Sequence, residues 1–309
     1  MAGRRMTALP VMMVLLGVLA AGCTSADKGG SAENTPPNLS GLSLKAEVDP
    51  EMATVTLPAD SVALGEQQDS STLSSAYLAA IAECSRTDLG IPWTAEMPDP
   101  YMPTRHMWTR YGPWTKPVAE KFAFVLPMGD GGLIVNGFVE EPEGHEWVPD
   151  PNEALTEAQR EEVFAGCIPT PEVQKFNEEN LWVKTPGYQA LDDEYDAVNQ
   201  DPRMQDLFDE LRVCYAEQGM EMDEESPGYI YPRIDRIDEE QISLALKTVE
   251  CKDQVDFTRR AADITAERQI PIIEEHADEL FAGREKWDET VAEAEEYIAA
   301  HPELFESPK

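Results

Sequence analysis

The chain has 309 residues, with 60 Asp and Glu against 24 Lys and Arg and a formal net charge of −36. A surface this acidic repels phosphate backbones and anionic headgroups, which argues against nucleic acid as a partner and leaves solubility as the simplest use of the charge. The length suffices for one large or two small folded domains.

Residues 1–22 read as a lipoprotein signal peptide. Arg4 and Arg5 precede an apolar run from Leu9 to Ala21. That run is shorter than the ~20 residues of a membrane-spanning helix and has the charged, apolar, small-residue layout of a cleaved segment. Leu19-Ala20-Ala21-Gly22-Cys23 closes it in the pattern of a bacterial lipobox. Processing there would start the mature chain at Cys23, with its sulfur in a diacylglyceryl group, and take the charge to −38 by removing Arg4 and Arg5. Buried acyl methylenes contribute roughly 0.8 kcal/mol each, so two or three chains hold a domain on the extracytoplasmic face of the cell membrane.

Residues 23–54, rich in Ser, Gly, Pro and Asn without apolar period, predict a flexible tether. Leu73, Tyr77, Leu78, Ile81 and Cys84 share one face of a helix over 70–85, stopped by Gly90. Residues 91–114 hold Pro92, Pro98, Pro100, Pro103 and Pro113 and read as an irregular wrap carrying Trp93, Tyr101, Trp108, Tyr111 and Trp114. Exposed, these aromatics would form a platform for sugar or peptide; the simpler use is to cover the first helix. Thr115 opens a short helix to Phe122, and 133–139 is expected as a short strand or packed loop beyond the Gly129–Gly132 turn, the alternative being a hairpin over 122–139.

Thr156 caps a helix to Cys167, Thr170-Pro171 restarts one to about Trp182, and Leu191–Val198 makes another. Asp201-Pro202 opens a helix carrying Met204, Leu207, Phe208, Leu211, Cys214 and Tyr215, stopped by Gly219. From Asp238 the pattern is almost unbroken helix to Ala300, which Pro271 should kink or restart. Beyond it Ile273, Leu280, Trp287 and Ala294 recur every seven residues, a coiled-coil type of seam, while the other faces of this helix are strongly acidic.

With Cys23 used by the lipid, Cys84, Cys167, Cys214 and Cys251 remain, an even number in an exported chain that allows three connectivities. A repeat favours one of them. Leu78–Gly90 and Phe208–Gly219 each present an apolar-faced helix, a cysteine near its end and a glycine soon after. Each is followed by a Pro-rich segment, an acidic capped helix and a second cysteine. Pairing within each copy gives Cys84–Cys167 and Cys214–Cys251. The expected fold is mainly α, with few or no strands: two disulfide-stapled helical units, 55–190 and 191–309, the second ending in the long helix.

The chain also resembles a family of exported lipoproteins and secreted proteins of high-GC Gram-positive bacteria that has no assigned activity. The resemblance runs over roughly residues 55–300. It rests on Leu57-Pro58-Ala59-Asp60, Arg110-Tyr111-Gly112, Gly166-Cys167, Asp201-Pro202-Arg203-Met204, Cys214 with Gly219, Glu250-Cys251 and Ile273-Glu274-Glu275-His276. Beside Cys214, where the family often has Trp and Met, this chain has Val213 and Tyr215. The resemblance implies a lipid-anchored, helical, disulfide-stapled ectodomain and carries over no catalytic residue.

No enzyme or cofactor motif stands out. His106, His145, His276 and His301 fall in no metal-binding helical pair, and His276 reads as a solvated helix residue. The acidic runs Asp192-Asp193-Glu194, Glu221–Glu225 and Asp238-Glu239-Glu240 lack EF-hand spacing and read as solvated faces or helix starts. The expectation is therefore a lipid-anchored extracytoplasmic binding or scaffold protein, non-enzymatic and without cofactor or metal. Its aromatic wrap or acidic C-terminal helix would engage an envelope protein or cell-wall component. The alternatives are a wall-polymer hydrolase using unmarked Asp and Glu, or a lipid-anchored solute-binding component of a transporter.

Overall fold

The computed structural model describes residues 42–64, 67–96, 110–144, 150–181 and 185–307. The signal, Cys23 and most of the expected tether lie outside them. The described residues nevertheless include part of the stretch read as tether, and it is structured. β1 (Glu47–Asp49) and β2 (Thr54–Thr56) form an antiparallel hairpin in which Val48 faces Val55. Asp49 Oδ1 accepts the Glu51 and Met52 amides across the turn, and Ala46, Ala53 and Val55 are buried in the core. The alternation of small and β-branched residues here was hidden by the polar composition around it.

The fold is mainly helical, and its described strands make only two small two-stranded sheets. α1 (Gln67–Cys84) ends in a wider turn closed by Gly90, whose φ of 66° suits glycine. α2 (Lys116–Phe122) follows Thr115, so the helical alternative holds there. The next stretch departs from expectation. Asp130–Val135 is a short helix, α3, neither strand nor loop. Gly137 at φ 71° terminates it, with the Phe138 amide donating to the Leu133 carbonyl (2.9 Å) and the Gly137 amide to Ile134 (2.9 Å). This is a Schellman closure, and Gly137 was the signal for a helix end.

α4 (Glu157–Cys167) starts at a capping box between Thr156 and Gln159. The single helix expected over 170–182 is divided into α5 (Pro171–Gln174) and α6 (Glu178–Leu181), because Asn177 turns the chain and caps Glu179. α7 (Pro186–Ala197) begins earlier than expected, on a Thr185 cap. α8 (Pro202–Glu217) leads to β3 (Glu221–Met222) and β4 (Ile230–Tyr231), which pair antiparallel. α9 (Glu239–Gln254) and α10 (Phe257–Ala300) are separated by Asp256 in the left-handed region.

α10 is the spine. It runs 44 residues, straight through Pro271, and leaves helical geometry instead at His276 (φ −113°, ψ 15°). That is where α7 begins. The Gly187 amide donates to the Glu279 carboxylate, and a Cβ on Gly187 would stand 2.6 Å from His276 Cβ. Ile273, Leu280, Trp287 and Ala294 are all buried, as the seven-residue spacing predicts. Their cover comes from α1, α7 and the turn Asp60–Leu64 of the same chain.

The disulfides are Cys84–Cys167, joining α1 to α4, and Cys214–Cys251, joining α8 to α9. This is the pairing within each copy that the repeat favours. On chain-entropy grounds, sequence separations of 83 and 37 correspond to about 4.5 and about 3.8 kcal/mol at most. The two copies are not separate bodies, however. Residues 37–309 form one compact unit, so the expected division at 190/191 is not a boundary. Tyr111, Trp114 and Ala119 share a cluster with Phe208, Leu211 and Phe257, while Leu73, Ala76 and Val163 share another with Trp287 and Ala294. α10 supplies buried residues to both clusters.

A buried carboxylate fastens three helices. Asp201 caps α8 by accepting the Arg203 amide (2.9 Å) and also binds the Arg203 and Arg268 guanidiniums (3.0 and 3.3 Å). Arg268 on α10 reaches Glu194 on α7 as well. The Arg203 hydrogen bond, with Arg268 adding to it, holds the Asp201 carboxyl well below the usual carboxylate range. A depressed folded-state pKa contributes stability that is present above the unfolded value near 4 and lost as pH falls below it. Asp201→Asn should therefore lose about 1–3 kcal/mol in urea denaturation at pH 7. The difference from wild type should shrink on acidification below about pH 4.

Candidate functional site

The five aromatics of the wrap do not assemble into one surface. Trp93 is half-buried, edge-on to Phe164 with ring centroids 5.4 Å apart. Tyr111 and Trp114 are buried, and their cover is given to the core around α8 and α10 instead of the first helix. Tyr111 lies 5.2 Å from Phe257 and 6.0 Å from Phe208. Tyr101 and Trp108 lie outside the described residues, as do His106 and His145. Two members of the expected platform thus have no face to offer a ligand.

What the wrap builds is a junction. Gly112 (φ 77°) and Gly228 (φ 97°) let two backbones pass closely: a Cβ on Gly228 would stand 2.9 Å from the Tyr111 Cβ and carbonyl oxygen. Tyr215 donates to the Gly228 carbonyl (2.8 Å), and Tyr111 to Asn199 Oδ1 (3.0 Å). Lys252, fully buried beside Cys251, donates from Nζ to the carbonyls of Tyr111 and Pro113, the latter at 2.8 Å. Its Nζ closes off backbone acceptors that the irregular wrap leaves without a ladder. Burial pushes the Tyr111 and Tyr229 phenols up to about 12, so both stay neutral packing groups.

The junction holds open a cleft on its outer side. After Ala123, at a φ of 51°, Phe124, Val125, Leu126 and Met128 form one wall with Phe138. Tyr229, Arg233 and Asp235 form the other, and the Ile237 amide joins the walls by donating to the Phe138 carbonyl (2.9 Å). The cleft volume is ≈ 280 Å³. That lies just under the range of about 300–1,000 Å³ for small-molecule sites, and fits one or two side chains better than a large cofactor. Arg233 lies over the Tyr229 ring (4.3 Å) and is paired with Asp223 (2.8 Å). Asp235 is exposed at the mouth with no cation partner among the described residues.

The other candidate groups have structural uses. His276 is half-buried, not solvated, with Nδ1 3.1 Å from Glu279, and His301 lies 3.4 Å from Glu303. In the acidic runs, Glu194 binds Arg268, Asp223 binds Arg233 and caps its own turn, and Asp238 caps α9. Among the described residues no three His, Cys, Asp or Glu side chains are grouped to hold a metal ion. No described helix is long and apolar enough to cross a membrane.

Comparison with known proteins gives no relative: no family model, no curated protein and no solved structure matches the chain significantly. The class defined by the fold is thus a mainly helical, disulfide-stapled protein whose cleft lies between two irregular segments.

Lys252 gives this junction a measurable signature. Burial lowers its amine well below the ordinary value, so the unfolded chain binds more protons over the interval up to about 10.4. Stability carried by this residue should therefore rise with pH across that interval. The wild-type advantage over Lys252→Met, read from urea midpoints, should grow between pH 7 and about 10. At pH 7 the variant, with two carbonyls stranded, should already lose about 2–4 kcal/mol.

Proposed function

We propose that this is a lipid-anchored, extracytoplasmic, non-enzymatic binding protein that engages an envelope component through the cleft between residues 124–138 and 229–235. The carrying observation is apolar exposure on the two segments that line the cleft. Of the seven large apolar side chains exposed among the described residues, Val135, Tyr231 and Ile234 fall in the two segments that form the cleft. Large apolar groups left exposed on the segments that carry an apolar groove mark a surface that a partner covers. The lining adds one carboxylate and one ion-paired guanidinium, a set suited to recognition.

The C-terminal helix drops out as the partner-binding face, because its stripe is spent on α1 and α7. The lipobox at Cys23 and the resemblance to exported lipoproteins support the anchor, and two disulfides suit an oxidising compartment. Two measurements test the reading. Cys23→Ala should abolish palmitate labelling and move the protein from the membrane to the soluble fraction. A photocrosslinking residue at Ile234 should give a discrete adduct in intact cells, while one at exposed Glu289 on α10 gives none; equal adducts, or none at either, would remove the cleft from the proposal.

A further inference from the structure

We infer that the cleft's occupant is a lysine- or arginine-bearing polypeptide segment, with the aliphatic stem of the basic side chain on the apolar walls and its charged head at Asp235. The inference rests on the binding role proposed above and names the chemistry of the partner.

Charge complementarity leads to it. Two cations of the segment that forms one wall are paired within the chain: Arg233 with Asp223 at 2.8 Å, and Arg236 with Asp238 at 3.2 Å. Arg233 is further fixed by the Tyr229 ring beneath it. Asp235 is left exposed at the mouth without a cation, and the exposed run after Phe138 adds Glu140 and Glu143. Behind these stands the field of a chain with a net charge of −36, which draws basic partners and repels acidic ones.

The walls decide how such a group enters. Phe124, Leu126, Met128 and Phe138 present aromatic and thioether surface, against which a lysine or arginine stem packs while its head remains hydrated. At ≈ 280 Å³ the space takes a side chain and not a folded domain. Val135, Tyr231 and Ile234, exposed on the two segments that carry the lining, add apolar surface for the residues flanking that side chain, which favours a polypeptide over a free amine.

The test uses the chain from Thr24 onward, which keeps the whole compact unit, and three blocked pentapeptides: Gly-Leu-Lys-Leu-Gly and the same peptide with norleucine or glutamate at the centre. Binding is read by NMR shifts of the Leu126 and Met128 methyls. The lysine peptide should bind and the glutamate peptide should not. Asp235→Asn should weaken the lysine peptide by about fivefold without changing the norleucine peptide. Glu289→Gln on α10 should change neither. Met128→Trp, which fills the cleft, should remove both; should it misfold, the exposed Asp235→Asn still decides.

Equal binding of lysine and norleucine peptides would overturn the cationic occupant. Equal weakening by Asp235→Asn and Glu289→Gln would overturn it too, by reducing the effect to the general field. In either case an adduct at Ile234 in cells would leave the wider binding role standing, whereas its absence would fell that role by itself.

Discussion

The structure depends on burying one long stripe. At about 1.5 Å per residue, the arms 257–275 and 277–300 on either side of His276 run some 28 and 36 Å, together far more than any other element here can cover alone. α10 therefore takes its cover in pieces. Phe257, Ala261 and Ile264 go into the core with α8 and α9, Ile273 and Leu280 against α7 and the turn after β2, Trp287 and Ala294 against α1 and its disulfide partner α4. Buried apolar area stabilises at roughly 25 cal/mol per Å², so each piece is modest and the helix is secured by their sum. The polar fastenings sit where the pieces meet. Asp201 with Arg268 joins α7, α8 and α10, and Gln269 accepts the Ala59 amide (3.1 Å).

That arrangement frees the rest of the chain from regular structure. The wrap around Tyr111 need not make its own ladder, because Lys252, Tyr215 and the two close-packed glycines take up its backbone. Burial disfavours the charged form of this lysine, and its Nζ is kept where carbonyl acceptors receive its hydrogens. The cleft lies on the irregular segments, lined by Phe124 and Tyr229 of the same buried cluster and by Arg233 and Asp235.

The helices were legible in the sequence where a cap and a stop residue bracketed an apolar period: Thr156 to Cys167, Asp201 to Gly219, Asp238 onward. So was the seven-residue stripe, because burial on one face of a long helix leaves a strong period. Short elements were not. Asp130–Val135 has two glycines in its first turn, which read as a turn, and only the placement of Gly137 marked it as a helix. Of the β1–β2 hairpin, Val55-Thr56 reads as extended from its β-branched residues, while β1 was masked by polar neighbours. The distortion in α10 fell at His276 instead of Pro271, because the cause is a tertiary contact with Gly187 that no local rule encodes. The cleft was invisible for the same reason: Phe138 and Arg233 are brought together by folding, and the only local hint was the mixed apolar and charged run from Tyr229 to Asp235.

The position of the spine in the chain also sets a timetable. A ribosome delivers the N-terminus first, and four of the five buried clusters contain residues from Phe257 onward. Arg86, just past the first disulfide cysteine, even waits for the carbonyls of Glu303, Leu304 and Glu306. Early helices emerge with their apolar faces unmatched, and contacts of such long sequence separation form late. The apolar faces of the early helices thus find their full cover only once residues from Phe257 onward are present.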